Sequence, residues 1–201
     1  QSLDIQGGED SEALRIQAHA RPGVEVDVRY IQTGPDVIES EYEDALAVPA
    51  TVDEAIRAEK AGADAIVVNC TADTGLAQCR ECVAIPVVGP SQSAMYLAAQ
   101  LTHKFSVLSF LERVNPRFEE MAHHWGLAHK LASVRSVEIP VSDVMGDKDR
   151  LVTMLFEAGM QCYREDRAHG IILGCTLFEA VADGIRERFQ QENIPMLVLE
   201  P

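Results

Sequence analysis

Two cysteines, Cys70 and Cys175, stand at matching places in two copies of one pattern. Ala65-Ile66-Val67-Val68-Asn69 runs into Cys70-Thr71, and Gly170-Ile171-Ile172-Leu173-Gly174 runs into Cys175-Thr176, 105 residues later. After each comes a helix-like stretch and then a second apolar run, Ile85-Pro86-Val87-Val88 in one half and Ile194-Pro195-Met196-Leu197 in the other. A single cysteine is ordinarily a small buried hydrophobe. Packing alone accounts for repeated βαβ units, but not for a thiol at the same strand exit in both halves. Two thiols related in this way suit one substrate held between two acid/base groups. Removing a proton alpha to a carbonyl takes a base on one face and stabilisation of the enolate oxygen. Inverting the carbon takes an acid on the opposite face. One thiolate and one thiol can exchange those roles with no cofactor and no metal. The backbone N–H groups after each cysteine and the hydroxyls of Thr71 and Thr176 are candidate oxyanion donors. Ser91, Ser93 and Ser109, just past other expected strand ends, are placed to face the same cleft.

The elements that must position these residues alternate strand and helix, the pattern of an α/β fold with a largely parallel sheet. Strands are expected near Leu3–Gln6, Val24–Ile31, Ala65–Asn69 and Ile85–Val88, then near Phe105–Ser109, Ser133–Ile139, Gly170–Gly174 and Met196–Leu199. Only Glu12–Ala20 is left for a helix after the first strand. Thr51-Val52-Asp53-Glu54 reads as a capping box opening a helix that Gly62 closes. Asn115-Pro116 opens another, with Gly126 near its end. Asp149–Arg167 places Leu151, Leu155, Ala158 and Cys162 on one face. In open α/β sheets ligands bind beyond the carboxyl ends of the strands, where both Cys70 and Cys175 fall. Thr176-Leu177-Phe178-Glu179 reads as a capping box too, which sets Cys175 ahead of a helix N-terminus and favours its thiolate. Behind Cys70, Asp73 or Thr74 is placed to cap the next helix, although Asp73 would repel a thiolate.

With 24% charged and 47% hydrophobic residues in 201, the chain has the composition of a globular protein with a substantial core. A formal net charge of −15 argues against nucleic acid as a partner and weakly against strongly anionic substrates. No apolar run approaches the roughly 20 residues that span a membrane. The N-terminus does not read as a signal peptide, so a cytoplasmic location is the expectation. Five scattered cysteines fit reduced thiols better than a disulfide framework. Cys79-Arg80-Glu81-Cys82 lies in a helical stretch with no second cysteine pair and no histidine at ligand spacing, so a structural role is expected and no metal site.

The stretches Val67-Val68-Asn69-Cys70-Thr71-Ala72-Asp73-Thr74-Gly75-Leu76 and Ile171-Ile172-Leu173-Gly174-Cys175-Thr176 resemble the two cysteine motifs of the aspartate/glutamate/hydantoin racemase superfamily. Gly34-Pro35-Asp36-Val37-Ile38-Glu39-Ser40-Glu41-Tyr42, Ile85-Pro86-Val87-Val88-Gly89 and His103-Lys104-Phe105-Ser106-Val107-Leu108 resemble its hydantoin (allantoin) racemase branch. The resemblance covers roughly residues 22–201. It implies two pseudo-symmetric α/β lobes, here 1–90 and 91–201, each with a mostly parallel sheet flanked by helices and the active site in the cleft between them. It also implies cofactor-independent inversion by Cys70 and Cys175, with Thr71 and Thr176 orienting the substrate and Ile38, Ser109 and Phe110 lining the pocket. The implied substrate is a small molecule, a 5-substituted hydantoin or an allantoin-like ring, and the implied assembly is a homo-oligomer. Where the family carries an Asn-Pro-Asn-like loop for substrate carbonyls, this chain has Gln6-Gly7-Gly8-Glu9-Asp10-Ser11, so Gln6 or Ser11 is the expected substitute. The chain stops at Pro201 straight after a strand, and a terminal helix of the second lobe is expected to be missing. Amino-acid racemisation and maleate-type cis–trans isomerisation are the neighbouring chemistries. Few basic residues lie near the strand exits (Arg80 and Arg113 are nearest in sequence), which favours a neutral ring over a dicarboxylate. A non-catalytic two-lobed binding protein is the alternative of a different class.

Overall fold

The computed structural model describes residues 16–201, and within them two parallel sheets are flanked by helices. The expected strand Leu3–Gln6 lies outside the described residues, and so do Gln6 and Ser11. Of the expected helix Glu12–Ala20, residues 16–20 are described, and 16–19 are helical. The stretch Val24–Ile31 is not a strand. A ladder needs a neighbouring backbone, and here the Gln17 side chain takes that place. Its Nε2 donates to the Val24 carbonyl and its Oε1 accepts from the Val26 N–H, both at 2.8 Å. Val24 stays 46% exposed, so burial does not draw it into a sheet.

Helix α1 (Glu41–Lys60) starts ten residues before the expected Thr51. The operative capping box is Ser40-Glu41-Tyr42-Glu43. Ser40 Oγ accepts from the Glu43 N–H at 3.2 Å, and the Glu43 carboxylate accepts from the Glu39 N–H at 2.8 Å. Thr51 lies inside the helix and turns its hydroxyl back to the Ala47 carbonyl. Gly62, at φ +98°, follows the helix end as expected.

Strands β1 (Ile66–Val67) and β2 (Val87–Val88) pair in parallel, joined by the short helix α2 (Leu76–Cys82). Neither Asp73 nor Thr74 caps α2, whose N-cap is Gly75. The Asp73 carboxylate instead accepts from the N–H groups of Ser91 and Gln92 at 3.0 and 2.9 Å. Those are the free donors at the start of helix α3 (Pro90–Leu101). This crossing requires Gly89, because a Cβ there would fall 2.6 Å from Asp73 Cγ.

The second sheet has the order β4-β3-β5-β6, all parallel: β3 (Phe105–Ser109), β4 (Leu131–Ser136), β5 (Gly170–Leu173) and β6 (Leu197–Leu199). Helix α4 (Asn115–His124) crosses from β3 to β4, helix α5 (Lys148–Arg164) from β4 to β5, and helix α6 (Ala182–Gln191) from β5 to β6. β4 begins two residues before the expected Ser133. Beyond it, the N–H groups of Val137 and Ile139 continue the pairing to Ser109 and Phe110. Leu151, Leu155, Ala158 and Cys162 of α5 are buried, as their spacing requires. The core on the other face packs Ala94, Met95 and Ala98 of α3 against Phe105, Val107 and Ile172. Among the described residues no helix is long and apolar enough to cross a membrane.

The chain leaves β3 toward β4 on one side and later returns to place β5 on the other. The carboxyl ends of β3 and β5 therefore flank a topological switch point, where open α/β sheets form their crevice. Phe110 follows β3 directly, and Cys175 follows β5 by two residues.

Candidate active site

The two cysteine turns meet at this crevice. Thr71 Oγ1 donates to the Gly174 carbonyl at 2.8 Å, so the residue after one cysteine is tied to the residue before the other. Both are buried. The Thr71 carbonyl in turn accepts from the Ser91 hydroxyl at 2.6 Å. Charge on Cys70 raises the pKa of Cys175.

A cavity of about 30 Å³ opens beside Cys70. It is lined by Ile38, Thr71 and Phe110 and also by Glu41, Asp44 and Arg117. Ile38, Cys70, Thr71 and Phe110 thus lie around one cavity. Cys175, 6% exposed, is not among the lining residues. Ser109 and Thr176 are not among the lining residues. Ser109 is fully buried and donates its hydroxyl to Asn115 Oδ1, where it fixes the turn between β3 and α4. Ser93 is likewise occupied, with the Gly89 carbonyl.

The electrostatics differ from the expectation at Cys175. Thr176–Val181 forms a 3-10 helix, and Cys175 is its N-cap without a side-chain capping bond. Burial pushes the Cys175 thiol up to about 12, aided by the charges of Cys70 and Glu39. The N–H groups of Leu177 and Phe178 offset this only in part. Desolvation outweighs the helix start here, so Cys175 is held as a thiol. Burial also raises Cys70, with the nearby Asp44 and Asp73 adding to the rise, while hydrogen bonds from Thr74 and the Ala72 backbone act the other way. Asp73 itself is pushed up to about 6, chiefly by burial, against the pull of its backbone donors and of Arg117 and Arg80.

Residues the sequence reading passed over join the two halves around the thiols. Arg117, in the first turn of α4, reaches Glu41 Oε2 at 2.8 Å, Asp44 Oδ2 at 3.0 Å and the Ala72 carbonyl at 2.8 Å. Thr74 donates to the other Asp44 oxygen at 2.6 Å. Glu39 bridges in the same direction, accepting from Arg113 Nη2 and from the Val141 N–H, both at 2.6 Å. The available signals were Ser40-x-x-Glu43, which places Glu41 and Asp44 three apart on one face of α1, and Arg117 one residue after Pro116. The overall acidity of the chain hid the basic residue.

The family model for Asp/Glu/Hydantoin racemase matches residues 12–199. The chain belongs to the Asp/Glu/hydantoin racemase family. It is 34% identical over 154 residues to the hydantoin racemase of Pseudomonas sp. (strain NS671), covering 77% of this chain and 62% of that one. The chain therefore spans a little under two thirds of that relative's length. Its structure is similar to the allantoin racemase of Pseudomonas fluorescens, with a TM-score of 0.85, 27% identity, and coverage of 94% of this chain and 79% of the other. The allantoin racemase of Klebsiella pneumoniae has the same fold, with a TM-score of 0.84 at 22% identity, covering 94% and 76%. As in these family members, the described fold is α/β with parallel sheets flanked by helices.

Proposed function

We propose that this family member is a cofactor-independent racemase that inverts the carbon alpha to a carbonyl in a 5-substituted hydantoin or allantoin-like ring. Cys70 and Cys175 act as the acid/base pair. The observation that carries the reading is the Thr71–Gly174 hydrogen bond, which joins the two cysteine turns next to the cavity that Cys70 and Thr71 line. The reading divides the chain at 1–90 and 91–201, with α3 assigned to the second part because it packs on Phe105, Val107 and Ile172.

The charges around the cavity favour a neutral substrate. Arg117 is already met by two carboxylates, Glu41 and Asp44, and Arg113 by Glu39. A dicarboxylate would enter a cavity with net negative walls, at a cost that grows as water is excluded. A ring with polar N–H and C=O groups and no charge avoids that cost. The cavity has room for about one water molecule, so binding a ring requires part of its lining to move.

In the forward direction one thiolate takes the proton from the ring carbon, and the other thiol delivers its proton to the opposite face. The reverse direction exchanges the roles. The test is incubation of an enantiopure 5-substituted hydantoin in D₂O, followed by polarimetry and by deuterium at the chiral carbon. Racemisation with solvent deuterium entering the product is the expected result, and C70S and C175S should each abolish racemisation. Normal racemisation by both variants would overturn the two-cysteine mechanism. Saturable binding without exchange would instead identify a binding protein.

A further inference from the structure

Among the described residues, Arg117 holds the one buried side-chain nitrogen or oxygen without a hydrogen-bond partner. Its Nε is buried and no acceptor reaches it there. The other edges of the guanidinium are engaged by Glu41, Asp44 and the Ala72 carbonyl. Arg117 also lines the cavity beside Cys70. A guanidinium fixed on its other edges presents its remaining N–H with little freedom left to lose.

We propose that Arg117 Nε–H is the donor that receives a carbonyl oxygen of the bound ring, an assignment that rests on the reading of this site as a hydantoin-type racemase. The cavity, at about 30 Å³, is the size of one water or one carbonyl oxygen. A substrate oxygen that reaches Nε gives the buried donor the acceptor it lacks. The two carboxylates already on the guanidinium keep it from acting as an anion trap, so it selects a neutral oxygen in the ground state. When the ring carbon loses its proton, negative charge grows on the adjacent oxygen, and a charge-assisted donor strengthens as it does. The residue therefore acts on kcat more than on KM. Arg117 also supports the fold by crossing from α4 to α1, so its substitution needs a readout that support alone would not move.

Two measurements supply it. The first uses protein labelled with ¹⁵N-arginine, with the Arg117 Nε–H resonance assigned by its loss in R117K. Titration with 5,5-dimethylhydantoin, which binds as a ring but has no hydrogen on the inverting carbon, should move that resonance to saturation. A resonance that stays still while others follow binding overturns the assignment, and absence of binding overturns both this assignment and the ring-substrate reading. The second compares a 5-substituted hydantoin with its 2-thio and 4-thio analogues in wild type and R117K. R117K should lower kcat about 100-fold on the oxygen substrate. One of the two sulfur substitutions should slow wild type at least about tenfold more than it slows R117K. Sulfur effects equal in the two proteins overturn the assignment. If R117K does not fold, the Arg117 Nε–H is assigned in wild type by triple-resonance connectivity to its backbone, and the titration is read in the same way. Racemisation with an unmoved Nε–H refutes this inference alone. A moved Nε–H without racemisation supports it and refutes the catalytic reading alone.

Discussion

Replacing Thr71 by Val removes the hydrogen bond that joins the two cysteine turns and leaves nearly the same shape. The Gly174 carbonyl then loses a donor at 2.8 Å inside a buried segment. Leaving a buried acceptor unsatisfied costs roughly 1–3 kcal/mol. For a domain of this size each kcal/mol lowers Tm by roughly 2–4 °C, so T71V should melt roughly 2–12 °C below wild type. T71S keeps the hydroxyl and gives up one methyl group, worth about 0.8 kcal/mol, and should fall well short of T71V. The assay is thermal melting by circular dichroism, paired with polarimetry on an enantiopure hydantoin. Since a displacement of about 1 Å at reacting groups is enough to cost about 100-fold, kcat should drop by about 10–100-fold in T71V and by less in T71S. T71V melting within a degree of wild type, or T71S losing as much as T71V, refutes the view that this hydroxyl ties the turns together.

Three further outcomes are expected. G174A should destabilise the protein by about 1–3 kcal/mol in urea unfolding, because a Cβ at that position falls 2.9 Å from the Leu108 carbonyl oxygen; an unchanged midpoint counts against so tight a strand exit. With Cys70 raised above its ordinary range and Cys175 near 12, kcat/KM should rise about tenfold per pH unit from pH 7 to 9, and a flat or falling profile refutes a thiolate base with a raised pKa. E39Q keeps an acceptor for the Val141 N–H but removes a charge that raises Cys175. Alkylation of Cys175, followed by peptide mass spectrometry, should begin at lower pH in E39Q than in wild type, and coincident profiles refute that coupling.

The strand before Cys175 and the face of α5 were readable because each is a local pattern with one physical solution: an apolar run that must be buried, or apolar residues on one side of a helix. The run before Cys70 pairs only at Ile66 and Val67, and Val67 stays 66% exposed. The stretch Val24–Ile31 was not readable, because strand formation depends on a partner backbone that a local pattern cannot supply. Thr51 shows the same limit for capping, since Thr-x-x-Glu is compatible both with a helix start and with a helix interior. Its competitor Ser40-x-x-Glu43 forms the actual start and thereby brings Glu41 and Asp44 to the site. At the site, Ile38, Cys70, Thr71 and Phe110 follow from motif resemblance, whereas Arg117 and Glu39 act through contacts 45 to 102 positions away in the chain. The protonation of Cys175 depends on a balance between burial and two N–H groups, and the motif carries only the second of these.

That balance bears on how the proposed chemistry can work. A thiol near 12 is rarely ionised at neutral pH, but its thiolate is a stronger base than an ordinary one, and proton abstraction from carbon gains from base strength. Ionising either cysteine makes it harder to ionise the other, so the two titrate as a coupled pair. The doubly ionised form is therefore suppressed, and the first proton lost leaves one thiolate facing one thiol. This is the protonation state that a two-base inversion requires in either direction. Burial makes that state scarce, while the coupling ensures that the pair, once ionised, still holds a proton to return. The carboxylates of Asp44, Asp73 and Glu39 press the same way by raising one thiol or the other. An acidic lining thus fits a neutral carbon acid and a pair that must keep one proton, and it would oppose a mechanism in which both thiols ionise.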